Sequence, residues 1–195
     1  MVRAVETIVL ASASPRRAEL LRAAGIEVRI VPSRIVESIR LDERPDEYAR
    51  RLAGAKEREV ARRAAARFYL GADTVVVLDG TLLEKPGHAS EAASMLRRLS
   101  GRLHQVITGF EVYDRAAGRG FGGAVSTQVW FRRLHEPEIA AYVATGEPLD
   151  KAGGYGIQEG AASMVARIDG SYTNVVGLPL AEVVETLVRC GAAAW

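Results

Sequence analysis

One cysteine, Cys190, leaves no internal disulfide to be made. The three histidines, His88, His104 and His135, show no metal-ligand spacing with it or with one another, which argues against a zinc centre. No apolar run approaches the length of a membrane span. Arg3, followed by an apolar stretch ending in Ala11-Ser12-Ala13, has the outline of a secretory leader. Its uninterrupted apolar part, residues 8–11, is too short, and Glu6 stands just before it, so a first β-strand and a cytoplasmic protein are expected. A charge of one sign is also missing. The balance of 26 basic against 24 acidic residues falls short of the dominant basic face of a nucleic-acid binder. The basic helix around residues 50–67 is interleaved with Glu57 and Glu59 and has no stacking aromatics, so it makes a poor RNA platform.

Lysine is scarce in a more informative way. Among the 26 basic residues only Lys56, Lys85 and Lys151 are lysines; the rest are arginines. A chain so biased accepts arginine wherever a solvated positive charge suffices. A lysine that persists is therefore a candidate for a site where a compact ammonium fits and a planar guanidinium does not, with chance retention as the plainer alternative. Lys56 falls on the apolar stripe of a helix, Lys85 at a strand end before Pro86, and Lys151 between Asp150 and a glycine run.

With 195 residues the chain can bury a sizeable core as one large domain or two small lobes. Residues 7–11 read as a buried strand, and 15–24 as a helix with Ser14 as N-cap, proline at N1 and Gly25 as the stop. A second strand covers 28–31. Residues 45–67 form a long helix whose Ala49, Ala53, Lys56, Val60 and Ala64 share a face. Strands at 69–78 and 81–84 flank an Asp79-Gly80 turn of type I′ chemistry. A helix with a serine cap at 90–99, closed by Gly101, leads to strands at 103–113 and 125–132 around a glycine-rich connection. A helix at 136–145, a glycine-rich loop at 145–160, a strand at 164–168 and a helix at 180–189 complete the chain. Without a regular βαβ repeat, the pattern predicts an α/β domain with a mixed, partly antiparallel sheet and flanking helices.

Two segments carry chemistry. In Ser12-Ala13-Ser14-Pro15-Arg16-Arg17, two arginines occupy a helix first turn that already holds partial positive charge. A bound anion reverses that penalty; arginines turned to water, or paired with Glu19 and Glu6, are the plainer alternative. In Gly71-Ala72-Asp73-Thr74 a carboxylate interrupts an apolar strand, a costly position unless the group is paired, metal-bound or at a cleft. Counting back from the turn pairs Val77 with Leu82 and Thr74 with Lys85, which puts Lys85 beside rather than opposite Asp73. A structural salt bridge is the plainer reading of that pair. The glycine-rich Asp150-Lys151-Ala152-Gly153-Gly154-Tyr155-Gly156-Ile157-Gln158 lacks the Gly-Lys-Ser/Thr of a Walker loop, yet it lets backbone approach a ligand closely.

Taken in order, these segments, with Glu84-Lys85-Pro86, the stretch from Met95 to Gly101 and Val176-Gly177-Leu178-Pro179, resemble the Maf family of nucleoside triphosphate pyrophosphatases over residues 8–187. The resemblance implies a fold like that of the inosine triphosphate pyrophosphatases, with two lobes around a cleft, a divalent cation such as Mg²⁺, and a homodimer. It implies Asp73 as proton acceptor, with Ser12, Ser14, Arg16, Arg17, Lys56 and Lys85 around the phosphates. Glu37 becomes an acidic partner for the metal; whether Asp73 acts as base, metal ligand or both stays open. Residues matching Arg16, Thr74 and Gln158 accompany the dTTP/UTP branch of that family and usually differ in a branch acting on methylated guanosine triphosphate. Two departures stand out: Arg34 and Val36 flank Glu37 where further acids are common, and Glu159 follows Gln158 where a glycine is common.

The reaction so implied is hydrolysis between the α and β phosphates, giving a nucleoside monophosphate and pyrophosphate. Its rivals are a house-cleaning pyrophosphatase for non-standard purine triphosphates and a non-catalytic regulator of cell division.

Overall fold

The computed structural model describes residues 2–195. In chain order its strands are β1 (Arg3–Ala4), β2 (Ile8–Leu10), β3 (Val28–Ile30), β4 (Phe68–Leu78), β5 (Thr81–Leu83), β6 (Leu103–Asp114), β7 (Arg119–Phe131), β8 (Val165–Asp169) and β9 (Ala193–Ala194). The helices are α1 (Pro15–Ala23), α2 (Pro45–Ala61), α3 (Ala89–Leu99), α4 (Glu136–Ala144), α5 (Tyr172–Val176) and α6 (Leu180–Arg189). Seven strands make one mixed sheet in the order β3-β2-β4-β6-β7-β8, with β5 also paired to β4. β2 runs parallel to β3 and β4, whereas β4–β5 and β7–β8 are antiparallel. This is the mixed α/β class expected.

The chain divides into two compact units, the first comprising the chain up to Asp73, Thr108–Val125 and Gly177–Trp195, the second Thr74–Ile107 and Ser126–Val176. In the first, Ile8 and Leu10 join Leu21, Phe68, Leu70, Val183 and Leu187 in one cluster. Val9 and Ala11 join Val60 and Tyr69 in another. Alternate residues of β2 thus serve opposite faces, which is why the segment reads as an unbroken apolar run. Helix α2 meets the sheet at backbone distance. A Cβ on Gly71 would lie well inside 3.0 Å of the Ala53 carbonyl oxygen, and one on Gly109 would meet the backbone of Ala49 and Arg50. In the second unit α3 packs against α4 and the short turns of the glycine-rich loop, burying Leu96, Leu99 and Ile139.

Several expected boundaries moved, most of them for a tertiary reason. Helix α2 stops at Ala61 rather than 67. Arg115 donates to the carbonyls of Ala61 and Ala64, Arg29 donates to that of Ala65 at 2.5 Å, and the Tyr69 hydroxyl accepts the Ala66 N–H at 2.9 Å. Side chains from elsewhere take the groups that further helical turns would need. Strand β7 begins at Arg119, six residues early, because Gly120 leaves room for the Glu111 carboxylate and Gly122 for the Phe110 carbonyl. The cap of α3 is His88, not a serine: its Nδ1 accepts the Glu91 N–H at 3.2 Å. The β-turn itself is as expected, with Asp79 at φ 49° and Gly80 at φ 76°, and Val77 pairs with Leu82. The ladder ends at Leu83, so the expected extension to Lys85 is not made; the Glu84 carbonyl instead accepts the Gly153 N–H at 3.1 Å.

Candidate active site

The first unit gathers most of the expected residues. Ser14 occupies the N-cap position of α1, with Pro15 after it, but its hydroxyl makes no capping hydrogen bond and no acidic side chain lies in the first turn. The start of α1 therefore keeps its positive character. Ser12, buried, accepts the Ser14 N–H at 3.2 Å and an Arg17 Nη1–H at 2.9 Å. Arg17 is also buried, and its Nε donates to the Gly177 carbonyl at 2.8 Å. Burial works against the Arg17 charge, while the field of Asp73 works for it and that of Arg16 against it. Of the two arginines, Arg17 is thus a fixed cation inside the unit, and Arg16 is half-buried at the helix start.

Asp73 lies in the interior of β4. Strand β2 is registered against β4 only as far as Leu70, and β5 only from Val76, so residues 71–75 have neither as a ladder partner. Helix α2, drawn in by Gly71, delivers Lys56 to this gap: its ammonium stands 2.5 Å from Asp73 Oδ1 and 2.6 Å from Glu37 Oε1. Asp73 and the Lys56 side chain are both largely shielded from solvent, whereas Glu37 comes from the exposed segment between β3 and α2. Burial raises the Asp73 pKa above the usual aspartate range, against the opposing pull of Lys56 and Arg17 and with the help of Glu37. The group is therefore a stronger base than a surface aspartate. Two carboxylates converge on one cation position. Among the described residues no cluster of three or more His, Cys, Asp or Glu side chains is placed to hold a metal.

The remaining expected residues belong to the second unit. Thr74 follows Asp73 in β4 and is half-buried. Lys85 is exposed, two residues beyond β5. Gln158 is exposed on the glycine-rich loop, between buried Ile157 and Glu159. That loop is ordered from within: the buried Tyr155 hydroxyl meets His104 Nε2 at 2.7 Å, and both rings pack edge-on against Phe131.

Other contributions escaped sequence reasoning. Gly177 anchors Arg17 from 160 residues away, and its sequence signal was only its place in a motif. Gly71 sets the approach of α2; a glycine inside an apolar strand is the usual sign of such contact. Glu57, wholly buried next to Lys56, gave no signal beyond an acidic residue on a basic helix.

The family described as "Maf-like protein" matches residues 7–190. The dTTP/UTP pyrophosphatase of Geotalea uraniireducens is 52% identical over 98% of this chain and 99% of its own. That of Geobacter sulfurreducens is 56% identical over 95% and 97%. Among solved structures, a HAM1 protein from Coxiella burnetii superposes with a TM-score of 0.52 at 18% identity, covering 97% of this chain and all of that one. That likeness concerns the fold alone.

Proposed function

Since the chain belongs to the Maf family, we propose that it hydrolyses nucleoside triphosphates, dTTP and UTP foremost, between the α and β phosphates to give the monophosphate and pyrophosphate. The observation that carries the reading is Asp73: a carboxylate buried in an apolar strand, made more basic by burial, and held at 2.5 Å by a lysine. Asp73 accepts the proton of the attacking water. Lys56 holds the carboxylate in one orientation and, with Arg17 and Arg16, supplies positive charge for the phosphates; Lys85, in the second unit, is assigned to the phosphates by the family resemblance alone. Ser12 keeps Arg17 in place, and the uncapped start of α1 at Ser14 offers backbone N–H groups to an anion.

The donor set suits a divalent cation such as Mg²⁺, which is commonly bound through one or two carboxylates with substrate phosphates completing the shell. Glu37 and Asp73, whose oxygens already share one cation at 2.6 and 2.5 Å respectively, would hold it. When bound, the ion supplies charge neutralisation for the leaving pyrophosphate. Gln158, with one amide donor and one acceptor group, matches the O4 and N3–H edge shared by uracil and thymine; Arg16 and Thr74 belong to the same specificity set. A homodimer is part of this reading, supported by exposed Val36, Ile39 and Leu41 in the segment that carries Glu37. No helix among the described residues is long and apolar enough to cross a membrane.

A panel of common and non-standard triphosphates with Mg²⁺, scored for pyrophosphate and orthophosphate, tests the proposal. Monophosphate and pyrophosphate are expected to appear together, fastest from dTTP and UTP. Stepwise release of orthophosphate, or a preference for purines, overturns it.

A further inference from the structure

Lys151 is the one lysine that the proposed chemistry does not use, and it is the most thoroughly engaged. Its side chain is 7% exposed, and its ammonium donates to the Glu147 carbonyl at 2.7 Å and Asp150 Oδ1 at 2.8 Å, and pairs with Glu159 Oε2 at 3.0 Å. Three acceptors match the three N–H bonds of an ammonium. The stem of the side chain runs against Gly156, where a Cβ would stand 2.7 Å from Lys151 Cε and 3.0 Å from Cδ. Two independent features thus shape the loop around this side chain: a glycine that clears its stem and a glutamate that meets its head.

Those two features bracket Gln158. Gly156 precedes it by two residues, and its N–H is held by the Tyr142 hydroxyl at 3.2 Å. Glu159 follows directly, and the next residue, Gly160, donates its N–H to Glu147 at 3.3 Å. On the opposite flank the loop is tied by Gly153 to Glu84, the residue before Lys85. We infer that Lys151 is a positioning residue for base selection: gripping Glu159 and lying along Gly156, it fixes the backbone on both sides of Gln158 and so the direction in which the amide points. The departure at Glu159 acquires a role here as the third acceptor of the ammonium. A guanidinium is planar and broader and fits neither the Gly156 clearance nor a compact set of three acceptors. That accounts for a lysine at this position in a chain that mostly uses arginine.

The inference rests on Gln158 as the base-reading residue, and the experiment separates the two. Steady-state kcat and KM for dTTP, UTP and CTP are measured for the wild type, Gln158→Ala, Lys151→Arg, Glu159→Gln and Glu159→Asp, together with melting temperatures. Lys151→Arg is expected to raise KM for dTTP and UTP about tenfold with kcat within about twofold, eroding their advantage over CTP in the same sense as Gln158→Ala. Glu159 is 37% exposed at its side chain, so its variants keep the fold; Glu159→Gln shifts KM in the same direction by about threefold, and Glu159→Asp restores part of it. If Gln158→Ala alters selectivity while Lys151→Arg and Glu159→Gln do not, Lys151 has no positioning role. A positioning role is equally refuted if they lower kcat for all nucleotides alike in step with the melting temperature. If Gln158→Ala leaves selectivity unchanged, the base-reading assignment itself falls, and this inference with it.

Discussion

Replacing Glu57 by methionine is expected to stabilise the protein, with a gain that grows with pH. Glu57 is 0% exposed on α2, facing Gly71, and neither carboxylate oxygen has a hydrogen-bond partner among the described residues. The nearest cation, Arg58 Nε, stands 3.5 Å from Oε1. Burial pushes the pKa up from 4.5 to about 8, with Arg58 opposing and Glu111 adding to the rise. Because the folded pKa lies above the unfolded one, the folded chain binds a proton that the unfolded chain has released anywhere between those values. The contribution of this group is most favourable below about pH 4.5, declines as the pH rises and levels off above about pH 8. At about 1.4 kcal/mol per pKa unit the loss reaches roughly 3 kcal/mol at pH 7 and roughly 5 kcal/mol above pH 8. Methionine has a similar length, no charge and no polar head to satisfy. For a chain of this size, each kcal/mol moves Tm by about 2–4 °C, so the advantage of the variant widens by roughly 10 °C between pH 5 and pH 9. Paired calorimetric scans of both proteins at constant ionic strength measure this; their difference cancels carboxylates common to both, such as Glu59 and Glu138, which arginine partners hold near about 2. Parallel Tm curves over the whole range would refute the reasoning and show that Glu57 ionises as a hydrated group.

Two further expectations concern the active site directly. Asp73→Asn keeps the side-chain shape but cannot accept a proton and binds a cation poorly; turnover should fall at least a hundredfold with the circular dichroism spectrum unchanged, and near-normal turnover in the folded variant would reduce Asp73 to a structural group. Gly71→Ala forces a methyl against the Ala53 carbonyl, so α2 and with it Lys56 must shift; a loss of about 1–3 kcal/mol by urea unfolding, together with reduced kcat, is expected, and unchanged stability would show that α2 yields freely.

Much of this was legible in the residues themselves. The unbroken apolar run at β2, the positive-φ pair Asp79-Gly80 and the stripe of α2 obey rules acting over a few neighbours, and their elements appear where expected save for the last six residues of the helix. The oddities that marked the site were local too: a carboxylate inside an apolar strand, two arginines in a first turn, three lysines among 26 basic residues. The motif order then pointed to the family. What could not be read is which groups meet. Lys56 reaches Asp73 across 17 residues, Arg17 is held by Gly177 across 160, and α2 ends where Arg29 and Arg115 arrive from distant segments. Glu57 and Arg58 look alike in sequence, as charged residues on one helix, yet one is fully buried and the other over half exposed at its side chain. Propensity and periodicity act within one turn or strand, whereas burial, pKa and partner choice depend on surfaces brought together from remote parts of the chain, so those were decided by the tertiary structure alone.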